Sequence, residues 1–288
     1  MMASLPTTTV PRRAAGERAV SMALADAVLS DETFPRFVTE GDRWAVVRLG
    51  DGRRRNAIDL EGWERLAEQF RAWATDGPDV VVVRGTGSTA FSAGADISEF
   101  PERRTGLERA DVYNRAVSSA VQAVSDCASP VLAMVNGMAV GGGCELAAAC
   151  DIRIAAEDAV LGLPIGRLGV ILGISETQAL LRLLGPAKLK WLVFTGTLLT
   201  AKAAQDIGLV EEVVPAGELA QRVVAIAGGL LGSSRNTITA TKFITDMCWR
   251  SGADRDAERL TTFALQAYGS EDFKDRVGRF LSKTLVKG

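Results

Sequence analysis

Histidine is absent from all 288 residues of the chain. That removes Ser-His-Asp and Cys-His nucleophile arrangements and every histidine-ligated metal site. Proton transfer, if the protein performs it, must fall to carboxylates, lysines, tyrosines or cysteines. Cysteine is also scarce, with Cys127, Cys144, Cys150 and Cys248 only. No two of them form a CxxC pair, so no zinc site is expected and the metal complement is read as none. Cys144 and Cys150 flank an apolar helical run and read as small core residues, reduced in a cytosol-like compartment. No apolar run reaches the ~18 residues of a membrane span, so no membrane partner is expected. An excess of positive charge is missing too. The formal net charge is −2, which gives no support to a nucleic-acid surface. Near the N-terminus Arg12, Arg13 and Arg18 are interrupted by Glu17 and Asp26, and no apolar segment of signal-peptide type follows. The expected location is cytoplasmic.

What is present is ordinary globular material, 47% hydrophobic and 24% charged. Residues 1–33 lack strong periodicity and read as a flexible extension, with a short helix near MALADAVL. An α/β core follows over 34–232. It opens with an edge hairpin around Trp44, Val46 and Val47. A helix is expected from Leu60 to Trp73, with Leu60, Trp63, Leu66, Phe70 and Trp73 on one face. DVVVVRGTG, PVLAMVNG and DIRIAA are short apolar runs of the kind that form strands buried on both faces. Helices alternate with them near Leu107–Ser125, at the triple glycine Gly141–Gly143, and near Thr177–Leu184, which argues for parallel strands. After about Ala216 the strands stop. GELAQRVVAIAGGLL, TATKFITDMCW, ADRDAERLTTFALQAY and DFKDRVGRFLSK read as consecutive amphipathic helices. Residues 233–288 thus form a helical C-terminal section.

Two glycine-containing turns follow two of the buried runs. FSAGADI (Phe91–Ile97) comes after the Val80–Val83 strand, and GGGCEL (Gly141–Leu146) after PVLAMVNG. Both deliver backbone N–H groups at the carboxyl edge of a parallel sheet, where α/β proteins bind ligands. Glycine allows a ligand oxygen close to the backbone, and a helix start adds unpaired donors and a positive dipole end. Two such turns side by side can make a two-donor oxyanion hole.

Five stretches in this order, RNAID (Arg55–Asp59), AFSAGADISEF (Ala90–Phe100), NGMAVGGGCELAAACDIRIA (Asn136–Ala155), LGLPIGRLGV (Leu161–Val170) and TAKAAQDIGLVEEVV (Thr200–Val214), resemble the enoyl-CoA hydratase/isomerase, or crotonase, family over roughly residues 36–288. The resemblance implies a crotonase-type spiral of ββα repeats with a helical C-terminal section, assembled as a trimer or hexamer. It implies an acyl-CoA substrate, with coenzyme A carried by that substrate and no separate cofactor. It places oxyanion-hole donors at the N–H groups of Ala95 and Gly142, and the first catalytic carboxylate at Glu145. A plain acidic first-turn residue would also account for Glu145. The position in the family and at the active-site edge favours catalysis. Arg55, Ala57, Ala93, Asp96, Ile97, Gly141 and Ile165 are implied as substrate or coenzyme A contacts, with Asp96 also organising its turn. Near the C-terminus Phe263 and Phe273 are implied as walls of the acyl pocket, although plain core packing accounts for both equally well, and Lys283 as a phosphate contact.

The sequence departs from the hydratase pattern at one place. Ile165 stands where the second glutamate is expected, about twenty residues after the first and directly behind a proline. Glu176 is the candidate replacement and Asp111 a weaker one, although a helix-start acid behind Ser175 explains Glu176 as well. Three activities remain open on this reading. The first is hydratase-type lyase chemistry through an enolate. The second is another reaction through the same enolate, such as decarboxylation of a malonyl-type acyl-CoA or double-bond isomerisation. The third is acyl-CoA binding with little catalysis.

Overall fold

The computed structural model describes residues 23–28, 38–40 and 43–249, together with residues 271 and 275. Phe263, Phe273, Lys283 and, apart from Asp275, the last two helices read from the sequence lie outside the described residues.

Two sheets organise the chain. The larger is six-stranded, built from β1 (Val38–Glu40), β2 (Trp44–Leu49), β3 (Val80–Gly85), β5 (Val131–Val135), β7 (Ile152–Ala156) and β10 (Glu212–Val214), adjacent in that order. The smaller runs β4 (Ala90–Ser92), β6 (Met138–Val140), β8 (Val160–Gly162) and β9 (Leu198–Thr200). The helices are α1 over residues 23–28, α2 (Leu60–Asp76), α3 (Leu107–Ser125), α4 (Gly142–Ala149), α5 (Ile174–Thr195), α6 (Ala201–Asp206), α7 (Leu219–Gly232) and α8 (Arg235–Trp249). The pairs β3–β4, β5–β6 and β7–β8 each place one strand in the large sheet and the next in the small one, and α3 and α4 connect the three pairs. This is the repeating ββα path expected from the sequence.

The apolar runs are continuous because both faces of the large sheet are covered. Val81 and Val83 of β3 enter the core beneath α2–α5, whereas Val80 and Val82 enter a second core beneath α1 and α7. β2 and β5 divide in the same way, Ala45 and Val47 against Trp44 and Val46, and Val131 and Ala133 against Leu132 and Met134. The antiparallel edge hairpin is present as β1 on β2. One part of the N-terminal segment is not loosely attached: Leu24, Ala27 and Val28 of α1 are buried in the second core. Their i, i+3, i+4 spacing within MALADAVL forms one apolar helical face.

Local signals set the helix ends. Asp59 caps α2 by accepting from the Gly62 N–H at 2.7 Å. The helix read near Thr177–Leu184 is the first half of α5. The chain leaves helical geometry at Gly185 (φ 67°), before Pro186, and then resumes.

Candidate functional site

The sequence reading attached the two glycine turns directly to long strands of the large sheet. In the structure each follows a three-residue strand of the small sheet, β4 and β6. Such short strands leave no periodicity to read. They are parallel neighbours, so their carboxyl ends release Ala93–Asp96 and Gly141–Gly142 side by side. The contact is tight. A Cβ added at Gly94 (φ 85°) would lie 2.6 Å from the Gly142 nitrogen, so only glycine fits there. A Cβ at Gly143 would lie 2.1 Å from the Ser92 carbonyl oxygen, which seats α4 against β4.

Ala95 sits in a bridge with Ile58. Ile58 donates to the Gly94 carbonyl at 2.8 Å and accepts from the Asp96 N–H at 2.9 Å. Alternation along the chain therefore turns the Ala95 N–H away from Ile58. Ala95 lines a cavity of about 350 Å³, and so does Gly142, whose N–H starts α4 without an intrahelical acceptor. Two such donors can hold an oxygen that gains negative charge.

Glu145, one turn into α4, is 5% exposed and lines the same cavity. Its carboxyl is pushed up from the ordinary 4.5 to about 8, first by burial and then by the charge of Glu176, with Arg104 opposing. Glu176, in the first turn of α5, lines the cavity as well and is buried. Both of its oxygens accept from the Ser118 hydroxyl of α3 at 2.9 Å. Burial raises its pKa; its own backbone N–H, Ser118 and Arg104 pull it down. The unequal surroundings sort the two acids. Burial and the neighbouring charge favour the protonated form of Glu145, while Glu176, also shifted up overall, has the Ser118 hydroxyl and its own N–H aimed at its charged form. Ile165, buried between them in sequence, contributes only apolar wall to the cavity.

Of the residues singled out from the sequence, Ala93, Ala95, Ile97, Gly141, Gly142, Glu145, Ile165 and Glu176 all line this one cavity. Asp96, Arg55 and Ala57 do not. Asp96 is buried in its turn, accepting from Ser98 N–H at 3.1 Å, from the Ser98 hydroxyl at 2.7 Å, and from Arg54. Arg54, Arg55 and Asn56 all have positive φ, and buried Asn56 anchors them through bonds to Gly52, Thr86 and Ala90. The Arg55 carbonyl accepts from Ala93 N–H at 2.9 Å, which ties this basic loop to the rim of the site. Asp111 is exposed and pairs with Arg115, so it is not a second carboxylate of the site.

Sequence reading missed Ser118 and Arg104. Ser118 carried no motif. Arg104 carried none either.

A family profile described as enoyl-CoA hydratase/isomerase matches residues 40–283. The chain is 32% identical over 248 residues to a crotonyl-CoA hydratase of Syntrophomonas wolfei, covering 84% of this chain and 93% of that one. It is 35% identical over 218 residues to a short-chain-enoyl-CoA hydratase of Clostridium acetobutylicum, covering 72% and 79%. Among solved structures, an enoyl-CoA hydratase/carnithine racemase from Magnetospirillum magneticum superposes with a TM-score of 0.79 at 30% identity, over 85% of this chain and 92% of that chain. An enoyl-CoA hydratase from Bacillus anthracis gives 0.79 at 28% identity, over 86% and 97%. With the ββα spiral, the paired glycine turns and a buried glutamate at the start of α4, the chain belongs to the enoyl-CoA hydratase/isomerase family.

Proposed function

We propose that the protein adds water across the C2=C3 bond of an enoyl-CoA thioester. The observation that carries this reading is the meeting of two buried carboxylates, Glu145 and Glu176, with the Ala95 and Gly142 backbone in one cavity. The thioester oxygen lies between the two N–H donors. Glu176 accepts a proton from water as its hydroxyl bonds to C3. The π electrons move onto the thioester oxygen as an enolate, which the donors stabilise. Glu145 then gives its proton to C2 as the enolate collapses. A proton passing from Glu176 to Glu145 restores both acids. The reaction consumes only water and substrate, so it calls for no cofactor beyond the coenzyme A of the thioester.

Glu176 takes the place that Ile165 leaves vacant, from a different element. Hydration requires a base and an acid on the reacting carbons, and the cavity offers both. Decarboxylation of a malonyl-type thioester would need the donor pair without the second acid. The basic loop Arg53–Arg55 and, near the C-terminus, Lys283 and Phe273 are assigned to coenzyme A and the acyl wall. Exposed Trp191, Phe194 and Leu198 suit an oligomer, for which a trimer or hexamer in the cytoplasm is our assignment.

The test is direct. Wild-type protein mixed with crotonyl-CoA should yield 3-hydroxybutyryl-CoA by mass spectrometry. No product at any protein concentration, with CO₂ released from methylmalonyl-CoA instead, would replace hydration by decarboxylation.

A further inference from the structure

The cavity contains a cation that hydration of a simple enoyl chain does not use. Arg104 lines it together with the two acids, and its charge reaches both Glu145 and Glu176. Yet among the described residues no carboxylate lies within ion-pair distance of its guanidinium. Glu176 is engaged by Ser118 instead.

Arg104 is nevertheless held firmly. Its Nε and one terminal nitrogen both donate to the Asn114 side-chain oxygen, at 3.1 and 2.7 Å. Its guanidinium carbon stands 4.8 Å from the Phe100 ring centroid and 4.9 Å from that of Tyr113. Two rings and an amide thus fix the plane, and among the described residues the other terminal nitrogen keeps its donors without a carboxylate acceptor. Burial of an arginine without an anion is unfavourable, and that burial lowers its pKa here. The same cavity is lined by the apolar side chains of Val117, Ile171 and Leu172. A fixed, half-buried guanidinium beside an apolar channel is a receptor for a carboxylate on a short carbon chain.

We propose that the preferred acyl group carries a free carboxylate in addition to its thioester, and that Arg104 binds it. This rests on the acyl-CoA reading above but not on which reaction follows. It makes Arg104 the residue that sets specificity, distinct from the acids that move protons.

Saturated thioesters separate binding from turnover. Calorimetry with two equal-length pairs, hexanoyl-CoA against adipyl-CoA and butyryl-CoA against succinyl-CoA, reads the preference. In the wild type at least one carboxylated member should bind about tenfold or more tighter than its partner, the worth of one charge-assisted contact. Arg104→Gln should bring that ratio close to one, while Arg104→Lys should retain part of it. Circular dichroism and thermal melting confirm that both variants are folded. Equal affinities within both pairs in the wild type, or a preference that survives Arg104→Gln, overturns the proposal and leaves the acyl-CoA reading standing. Failure of all four thioesters to bind overturns both.

Discussion

Glu145→Gln should make the protein less active and, at high pH, more stable. The carboxyl of Glu145 is pushed from the ordinary 4.5 to about 8, by burial first. A folded state with the higher pKa holds more protons than the unfolded chain between those two values. Stability therefore falls as pH rises from about 4.5 to about 8 and is flat, for this group, outside that window. At about 1.4 kcal/mol per pH unit, the whole interval is worth on the order of 5 kcal/mol. Glutamine resembles the protonated acid in shape and carries no charge at any pH, so it escapes this loss. Urea unfolding followed by circular dichroism at pH 5, 7 and 9 checks it. The two proteins should nearly coincide at pH 5. The variant should gain with each step, reaching an advantage of several kcal/mol at pH 9. Parallel pH dependences in the two proteins would refute the reasoning, because they would mean that Glu145 ionises freely in the fold.

Ser118→Ala removes the donor shared by both Glu176 oxygens. The Glu176 pKa should rise further, so the acidic limb of the kcat/KM profile moves to higher pH and the rate at pH 6 falls roughly tenfold. Gly143→Ala puts a Cβ 2.1 Å from the Ser92 carbonyl oxygen. Backbone stands on both sides of that contact, so the variant should lose about 3 kcal/mol or more in urea unfolding. Coenzyme A at a hundredfold excess over its Kd should stabilise the wild type by about 2.7 kcal/mol, a rise of several degrees in melting temperature. An unmoved melting curve would contradict the ligand assignment.

Much of this fold was legible in the sequence because both faces of the large sheet are buried. That burial writes strands such as Val80–Val83 as unbroken apolar runs, and it writes α3 with the bounds read from periodicity, Leu107–Ser125. The small sheet was not legible. β4 and β6 are three residues long and held by their neighbours rather than by any pattern of their own. The glycines announced the backbone part of the site, since Gly94 and Gly143 stand where any side chain would collide. Glu145 was singled out by its position in the family pattern, and the structure places it one turn into α4 on the same cavity. Glu176 could only be a candidate, because its entry into the cavity depends on how α5 packs against α3, a contact remote in sequence. Arg104 was invisible as a site residue, since its place depends on Asn114 and two aromatic rings meeting across a turn.

In the proposed hydration Glu145 and Glu176 act as one acid–base pair. Crotonyl-CoA hydration measured for wild type, Glu145→Gln, Glu176→Gln and the double variant tests it most directly. Each single variant should lose about 100-fold to 10,000-fold in kcat, and the double variant should be hardly worse than the weaker single, as for residues that work as a unit. A Glu176→Gln enzyme that hydrates at the wild-type rate would contradict the account.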